Sequence, residues 1–403
     1  MRVHARKFFR QMEKKDVFAK SHQDPKKNQK SSSPFLNKAM ATAIHHHPPT
    51  TTTTTTTTTS HQTAGDQSTD GTRIIAKRFR SEKVIARGAF GVVHSGRTIN
   101  SWPPERVAVK IACAEHTKSL DHEYSMFQRV QRHYDAQNAQ DDRDRDTGDL
   151  AAAAAADPDA MVCEHPPPKT PLPIPRALWC GSSDVECVMV TELVNGVDLR
   201  RIFKSMSSVI GDAMLASWGM CMLSRVRELH AAGVIHGDIK AENFVYCNTL
   251  QRLFLVDLGL ASRCRARQTS VPCFSGTLAF ASISAHLHRS LSRRDDLVSL
   301  AYVLLFLWRG GDLPWFEKNV SLKQMTPEQR DNYIASVGRH KQRAQACNLF
   351  THPTDPDRPM PQGLHLFYTY AHSLKVNQMP DYALLETHLQ LIYTQDLATT
   401  NNQ

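Results

Sequence analysis

The sequence has no long apolar run and no paired-cysteine motif, and these two absences remove whole classes of protein. No stretch approaches the roughly 18 consecutive apolar residues that cross a bilayer, so no membrane span is expected. Nine cysteines are scattered without a C-x-x-C pair. A zinc ribbon or a disulfide framework is therefore not expected, and reduced thiols in a cytoplasmic or nuclear protein are. The opening MRVHARKFFRQMEKK lacks the apolar core of a secretory signal, although its arginines and scarce acids also fit an organelle transit peptide, the lesser reading. Acids are few in the first thirty positions. Glu13, Asp16 and Asp24 stand against ten lysines and arginines, so the net charge of +10 describes an arm more than a domain. Such an arm reads first as a solvated extension and second as a weak contact for nucleic acid or another anion. Large apolar residues are also scarce before position 73. The run HHHPPTTTTTTTTTTS, 45–60, has nothing to bury, so 1–72 reads as disordered.

From residue 73 onward the chain changes character. At 403 residues and 41% hydrophobic it is long enough for two lobes plus tails. KVIARGAFGVVHSGRTI alternates apolar and polar residues around glycines and reads as a β-hairpin, and ERVAVKIA reads as a further strand. HTKSLDHEYSMFQRVQRHYDAQ places Leu120, Tyr124, Phe127 and Val130 at helical spacing. The apolar pattern then stops. The stretch from about Asp135 to Pro171 is acidic, then alanine-rich, then proline-rich, and reads as a surface insertion between helix and strand. RALWCG and VECVMVTEL are the next strands. From Asp198 the pattern is helical: GDAMLASWGMCMLSRVRELHAAG and DLVSLAYVLLFLWRGG are buried-type helices ended by glycine. A β-rich part followed by a helical part predicts a bilobal α+β protein with a cleft between the lobes. The boundaries are 1–72 for the arm, 73–194 for the first lobe with its insertion at 135–171, and 195–397 for the second.

Four short motifs carry polar chemistry. Gly88 and Gly91 flank a hairpin tip, where glycine lets a backbone approach phosphates, though a tight hairpin needs glycine for its own sake. Lys110 ends the apolar VAVK strand. A phosphate-holding lysine needs a carboxylate from the next helix, and Glu123 and Asp121 are the two choices. In HGDIKAEN, Asp238, Lys240 and Asn243 offer a proton acceptor, a cation and an amide oxygen within six positions. A polar turn would explain one or two of these groups and not all of them. In LFLVDLGLAS, Asp257 ends an apolar strand ahead of a glycine. Its carboxylate is the hard oxygen ligand that Mg²⁺ takes beside phosphates. Each motif alone is weak. Their order is the protein-kinase signature order.

On these motifs the chain resembles the eukaryotic protein kinases, and among them the casein kinase I superfamily, which includes the vaccinia-related and tau-tubulin kinases. The resemblance runs from about Arg73 to Ile392, the insertion excepted. IPRALWCG, SGTLAFASISAHLHRSLSRRDDLVSLAYVL and MPDYALLETHLQ carry it, with Ser282-Ile283-Ser284 where most kinases have A-P-E. It implies a protein serine/threonine kinase that moves the γ-phosphoryl of MgATP to protein hydroxyls. The lysine two residues after Asp238 is the serine/threonine form.

The resemblance implies Asp238 as catalytic base and Lys240 as its partner at the γ-phosphoryl. Asn243 and Asp257 would be the Mg²⁺ ligands. The nucleotide-binding set would be Ala86, Gly88, Gly91, Val93, Ala108, the Lys110–Glu123 pair, the gatekeeper Thr191, and the hinge from Glu192 to Val194. Thr277 would orient Asp238 and Lys240, and Asp296 would support the loop from beneath. The chain departs from the pattern at four places. Ala86 replaces the first loop glycine, Gly237 the arginine of H-R-D, Leu258 the phenylalanine of D-F-G, and Ala279 an arginine that binds the anion of acidic or phosphorylated substrates. Gly237 implies a loop that needs no activating phosphate, and Ala279 implies weak dependence on a phosphorylated substrate. None of these changes removes a reacting group. The alternative is a pseudokinase or scaffold that binds partners without chemistry.

Overall fold

Six strands form one antiparallel sheet. They are β1 (Ile74–Ile75), β2 (Phe79–Gly88), β3 (Gly91–Thr98), β4 (Arg106–Cys113), β5 (Ala177–Ser182) and β6 (Glu186–Glu192), in the order β1-β2-β3-β4-β6-β5. The computed structural model describes residues 72–88, 91–153, 171–317, 320, 322–344, 349–355 and 357–400. The arm up to residue 71, the hairpin tip at 89–90 and positions 154–170 of the insertion lie outside the described residues. Side chains alternate across a strand. Val107 and Val109 of β4 therefore bury one way, with Val188, Val190, Ile75 and Phe79. Ala108 and Lys110 face the other way.

The helix α1 (Thr117–Ala153) packs against β5 and β6 through Leu120, Met126, Phe127, Val130 and Tyr134. It is longer than the apolar pattern predicts. The pattern stops near Asp135 because the helix leaves the core there, while the helix itself continues through the polar and alanine-rich residues. Alanine, glutamine and arginine are good helix formers. Pairs three residues apart add support, such as Arg143 donating to the Gln140 amide oxygen at 2.7 Å. The insertion is thus helical as far as Ala153.

The sheet ends at Glu192. Strand β7 (Gly196–Asp198) leads into α2 (Leu199–Ser205), capped by Asp198, whose carboxylate accepts the Arg201 N–H at 2.9 Å. Then come α3 (Asp212–Ala231), the short β8 (Val234–Ile235), β9 (Phe244–Cys247), β10 (Arg252–Leu255) and β11 (Ser262–Arg263). Beyond them lie α4 (Ile283–His286), α5 (Arg293–Trp308), α6 (Pro327–Ala344), α7 (Gln362–Ser373) and α8 (Tyr382–Thr400). Strand β7 pairs with β9, and β8 pairs with β11. Every residue of α5 from Asp295 to Trp308 is buried, so it is enclosed on all sides rather than striped. It is the axis of this lobe, with α3 and α7 packed against it and α8 against both of those. A reciprocal Ser292–Asp295 capping box starts α5.

Among the described residues no helix is long and apolar enough to cross a membrane. The described cysteines, Cys264 and Cys273 among them, are all free thiols.

One buried and one half-buried histidine make this lobe acid-sensitive. Burial, aided by Lys341, lowers His286 to about 3. Burial, with Arg294 and Lys341, lowers His372 to about 4. An unfolded histidine takes its proton near 6.5. As pH falls below that value the unfolded chain binds more protons than the fold, so stability is lost progressively until about pH 4 to 3. The expected loss is on the order of a few kcal/mol. It is read as a falling denaturation midpoint between pH 6.5 and 4, and the slope should shrink in His286→Asn. A flat profile in this window would contradict the assignment.

Candidate active site

The cleft side of β4 presents Lys110, and the first turns of α1 bring Glu123 over it. Lys110 Nζ donates to Glu123 Oε2 at 2.7 Å, and Asp257 Oδ1 lies 3.9 Å from the same ammonium. Burial pushes the Glu123 carboxyl up, against the pull of Lys110. Asp121, the other carboxylate of the stretch, points elsewhere and accepts from Cys180 Sγ at 3.6 Å. Burial, with Asp121 beside it, raises that thiol to about 12. Of the two choices the structure pairs Glu123 with the lysine.

The loop HGDIKAEN begins just after β8 and is held from beneath by α5. Asp296, in the first turn of α5, accepts the His236 N–H at 2.7 Å, the Gly237 N–H at 2.9 Å and His230 Nε2 at 2.8 Å. Burial alone would raise this carboxyl. The His230 bond, the favourable electrostatics of the two neighbouring histidines and the Gly237 N–H outweigh it and hold Asp296 below the usual carboxylate range. His236 completes the loop: its Nδ1 accepts the Asp238 N–H at 3.2 Å and its Nε2 faces the Val256 carbonyl at 3.2 Å.

Above this support, Asp238 is 9% exposed and engaged on both oxygens. Thr277 Oγ1 donates to Oδ1 at 2.7 Å, and Lys240 Nζ donates to Oδ2 at 2.5 Å and to Thr277 Oγ1 at 3.3 Å. The Asn243 amide NH₂ donates to the Asp238 carbonyl at 2.9 Å. That bond assigns the amide orientation and leaves the Asn243 oxygen as a free acceptor. Asp257 takes a left-handed φ of 65° and half its side chain is exposed to the cleft. An amide oxygen and a carboxylate are the hard donors that Mg²⁺ takes. No trio of His, Cys, Asp or Glu is gathered to hold a metal among the described residues. A Mg²⁺ ion on Asn243 and Asp257 would therefore complete its shell with phosphate oxygens and water. The residues fit the ion.

At the back of the cleft, Thr191 is buried and pairs in register with Ala108. The Glu192 and Leu193 N–H groups are bonded to the Arg176 and Arg106 carbonyls, while the Val194 N–H has no protein acceptor among the described residues. At the front, Gly88 pairs with Gly91, and Ala86 with Val93. Gly91 is required. Its φ is 141°, and a Cβ there would sit 2.3 Å from the Ile111 carbonyl oxygen. Ala86 is an ordinary strand residue and causes no conflict.

Two motif positions have structural partners. Ala279 is 2% exposed and its carbonyl accepts Trp315 Nε1 at 2.9 Å, so its side chain faces the core and not a substrate. The serines of Ser282-Ile283-Ser284 are anchors: Ser282 Oγ donates to Asp295 at 2.8 Å and Ser284 Oγ accepts from Arg294 at 2.7 Å. Sequence reasoning missed His230, His122, whose ring faces the Ala261 carbonyl at 2.8 Å, and Lys341. Nothing local marks the two histidines. Lys341 has a readable signal, because it occupies the stripe Ile334, Val337, Lys341, Ala344 where an apolar residue belongs. A separate cavity of about 480 Å³ is lined by Ser207, Ser208, Trp308, Arg309 and Arg358 among others, none of them a cleft residue.

A family model described as protein kinase domain matches residues 176–353, which takes in the loop at Asp238, Asp257, Thr277 and Asp296. Casein kinase 1-like protein HD16 of Oryza sativa subsp. japonica is 37% identical over 154 residues, 35% of this chain and 22% of that protein. Residues 176–353 thus match a protein kinase domain, and part of the chain is similar to a casein kinase 1-like protein. It spans about a fifth of that relative's length. The kinase-domain match begins at Arg176, so the Lys110–Glu123 pair stands on its geometry alone.

Gly237, where the kinase pattern has arginine, has φ 78°, and a Cβ there would lie 2.7 Å from the Leu260 carbonyl oxygen. A side chain at this position strains the backbone and meets a fixed carbonyl. Gly237→Ala should cost about 2 kcal/mol, read as a Tm lower by roughly 4–8 °C. Gly237→Arg, which restores the common kinase residue, should be worse. An arginine variant as stable as the parent would overturn this account.

Proposed function

We propose that this protein is an active serine/threonine kinase that transfers the γ-phosphoryl group of MgATP to protein hydroxyls. One observation carries the proposal: the Asp238 carboxylate is bonded at once by Lys240 and Thr277 on a loop tied to buried Asp296. A loop built only for shape would not hold a carboxylate and an ammonium together at the mouth of a cleft.

The Val194 N–H is the donor for the adenine edge, beside gatekeeper Thr191. Lys110, steadied by Glu123, orients the α- and β-phosphates. Ala86, Gly88, Gly91, Val93 and Ala108 cover the nucleotide from the sheet. Asn243 and Asp257 would hold Mg²⁺, which would neutralise charge on the phosphate oxygens. Asp238 accepts the proton of the substrate hydroxyl as that oxygen bonds to the γ-phosphorus and the bond to the β-bridging oxygen breaks, releasing ADP. Lys240 stabilises the charge on the phosphoryl in flight. With Gly237 in place of arginine the loop presents no cation that a phosphate must neutralise, so the enzyme works as made.

The test is transfer of labelled γ-phosphate to an acidic protein such as casein. Phosphatase-treated wild type should retain its turnover. Lys110→Met and Asp257→Asn should each lose at least a hundredfold while keeping the wild-type Tm, since each removes about 3 kcal/mol or more of transition-state positioning. No transfer by wild type, or full activity in either variant, would refute the reading.

The basic arm is assigned a weak anion or nucleic-acid contact in a cytoplasmic or nuclear setting, on its ten basic residues against three acids. A fragment covering 1–72 should shift a duplex probe at low salt and release it near 0.2 M salt. Absence of a shift at low salt would leave it a plain extension.

A further inference from the structure

Lys341 on α6 is fully buried, at 0% exposure. Its Nζ donates to the Leu278 carbonyl at 2.8 Å and to the Ala281 carbonyl at 2.6 Å. It lies 5.1 Å from the centre of the Tyr302 ring and 5.6 Å from that of Trp315. No ion pair among the described residues includes it, and burial holds its pKa well below the usual lysine value. An ammonium buried without a carboxylate is costly, and two carbonyls with two ring faces offset only part of that cost. Leucine or methionine would fill the same stripe without the cost. What a lysine adds is direction: two donors aimed at the backbone of one segment.

That segment is the turn that begins at Thr277. The Phe280 and Ala281 N–H groups both donate to the Thr277 carbonyl, at 2.9 and 2.8 Å. Trp315 Nε1 holds the carbonyl of Ala279 between them. The carbonyls of residues 278, 279 and 281 are therefore all gripped from the helical side. At the open end of the same turn, Thr277 Oγ1 makes the 2.7 Å bond to Asp238 and accepts from Lys240. The chain of contacts is continuous from α6 to the reacting carboxylate.

We infer that Lys341 is a positioning residue for phosphoryl transfer. It fixes the 277–281 turn and so aims the Thr277 hydroxyl at Asp238, an inference that rests on the kinase reading above. It predicts a loss in kcat without a loss in nucleotide binding, and a loss that passes through Thr277.

The experiment measures kcat, and KM for MgATP, in wild type, Lys341→Met, Thr277→Val and the double variant. Lys341→Met should lower kcat tenfold or more with KM for MgATP within twofold. In the Thr277→Val background the same change should have almost no further effect, because the aimed hydroxyl is already gone. Equal losses in both backgrounds, or an unchanged kcat in Lys341→Met, would overturn the inference. Hydrogen exchange supplies a readout independent of catalysis. The Phe280 and Ala281 amides should exchange at least tenfold faster in Lys341→Met while the α5 amides keep their protection. If wild type transfers no phosphate, the kinase reading fails. Unchanged exchange at Phe280 and Ala281 defeats the latch itself. If Lys341→Met does not fold, Trp315→Phe loosens the same turn by the loss of one bond. It should show the same kcat-only loss, severalfold, that disappears with Thr277→Val, and a wild-type kcat there would count against the proposal.

Discussion

A carboxylate shut away from water must have its charge answered inside the fold, and Asp296 is answered by three N–H donors. Two of them are consecutive backbone amides of the loop that carries Asp238, and the third is His230 on α3. This one group ties the central helix, a flanking helix and the polar loop into a single body. Charge-assisted bonds in a dry site are strong and directional. Asp238, Lys240 and Asn243 then take their places because the backbone just before them is fixed. Gly237 belongs to the same constraint. Its amide must reach Asp296 while its α-carbon passes close to the Leu260 carbonyl, so it has no room for a side chain.

The cleft is closed by contacts that cross between the sheet and the helical part. Lys110 meets Glu123 on α1 and stands near Asp257 from the far side. His122, one residue before Glu123, faces the Ala261 carbonyl, and Arg129, further along the helix, donates to the Ala232 carbonyl at 3.0 Å. The helix α1 is therefore registered against both halves of the cleft by three side chains within eight positions. The position of Glu123 is thereby set by the helical lobe as well as by its lysine.

Much of the fold was legible, and particular residues show why. The strand and helix assignments around Lys110, Glu192, Asp212 and Asp296 came from alternation, from an unbroken apolar stretch and from glycine stops. Those signals are local. The far end of α1 was not legible, because burial and helicity usually travel together and here they part at Tyr134. Beyond that residue the helix is held by propensity and polar pairs, which leave no apolar stripe to see. The burial of Ala279 was not legible for a related reason. Its neighbours in sequence place it beside the cleft, but Trp315 and the packing of Phe280 turn its side chain inward.

The sequence by itself determined the identity and order of the reacting groups, since an acid, an ammonium, an amide and a second acid at those spacings belong to few chemistries. It also determined that glycine stands at 91 and 237, though not that the backbone demands it. Tertiary structure alone decided which carboxylate pairs with Lys110, and that Asp296, His230 and two amides share one charge. It also decided that a lysine 64 positions downstream of Thr277 grips the turn that Thr277 begins. The reason is physical. A side chain's type is a local fact, whereas a hydrogen bond or a buried charge depends on what the folded chain brings to within about 3 Å of it, and residues that distant in sequence carry no mutual mark until the fold joins them.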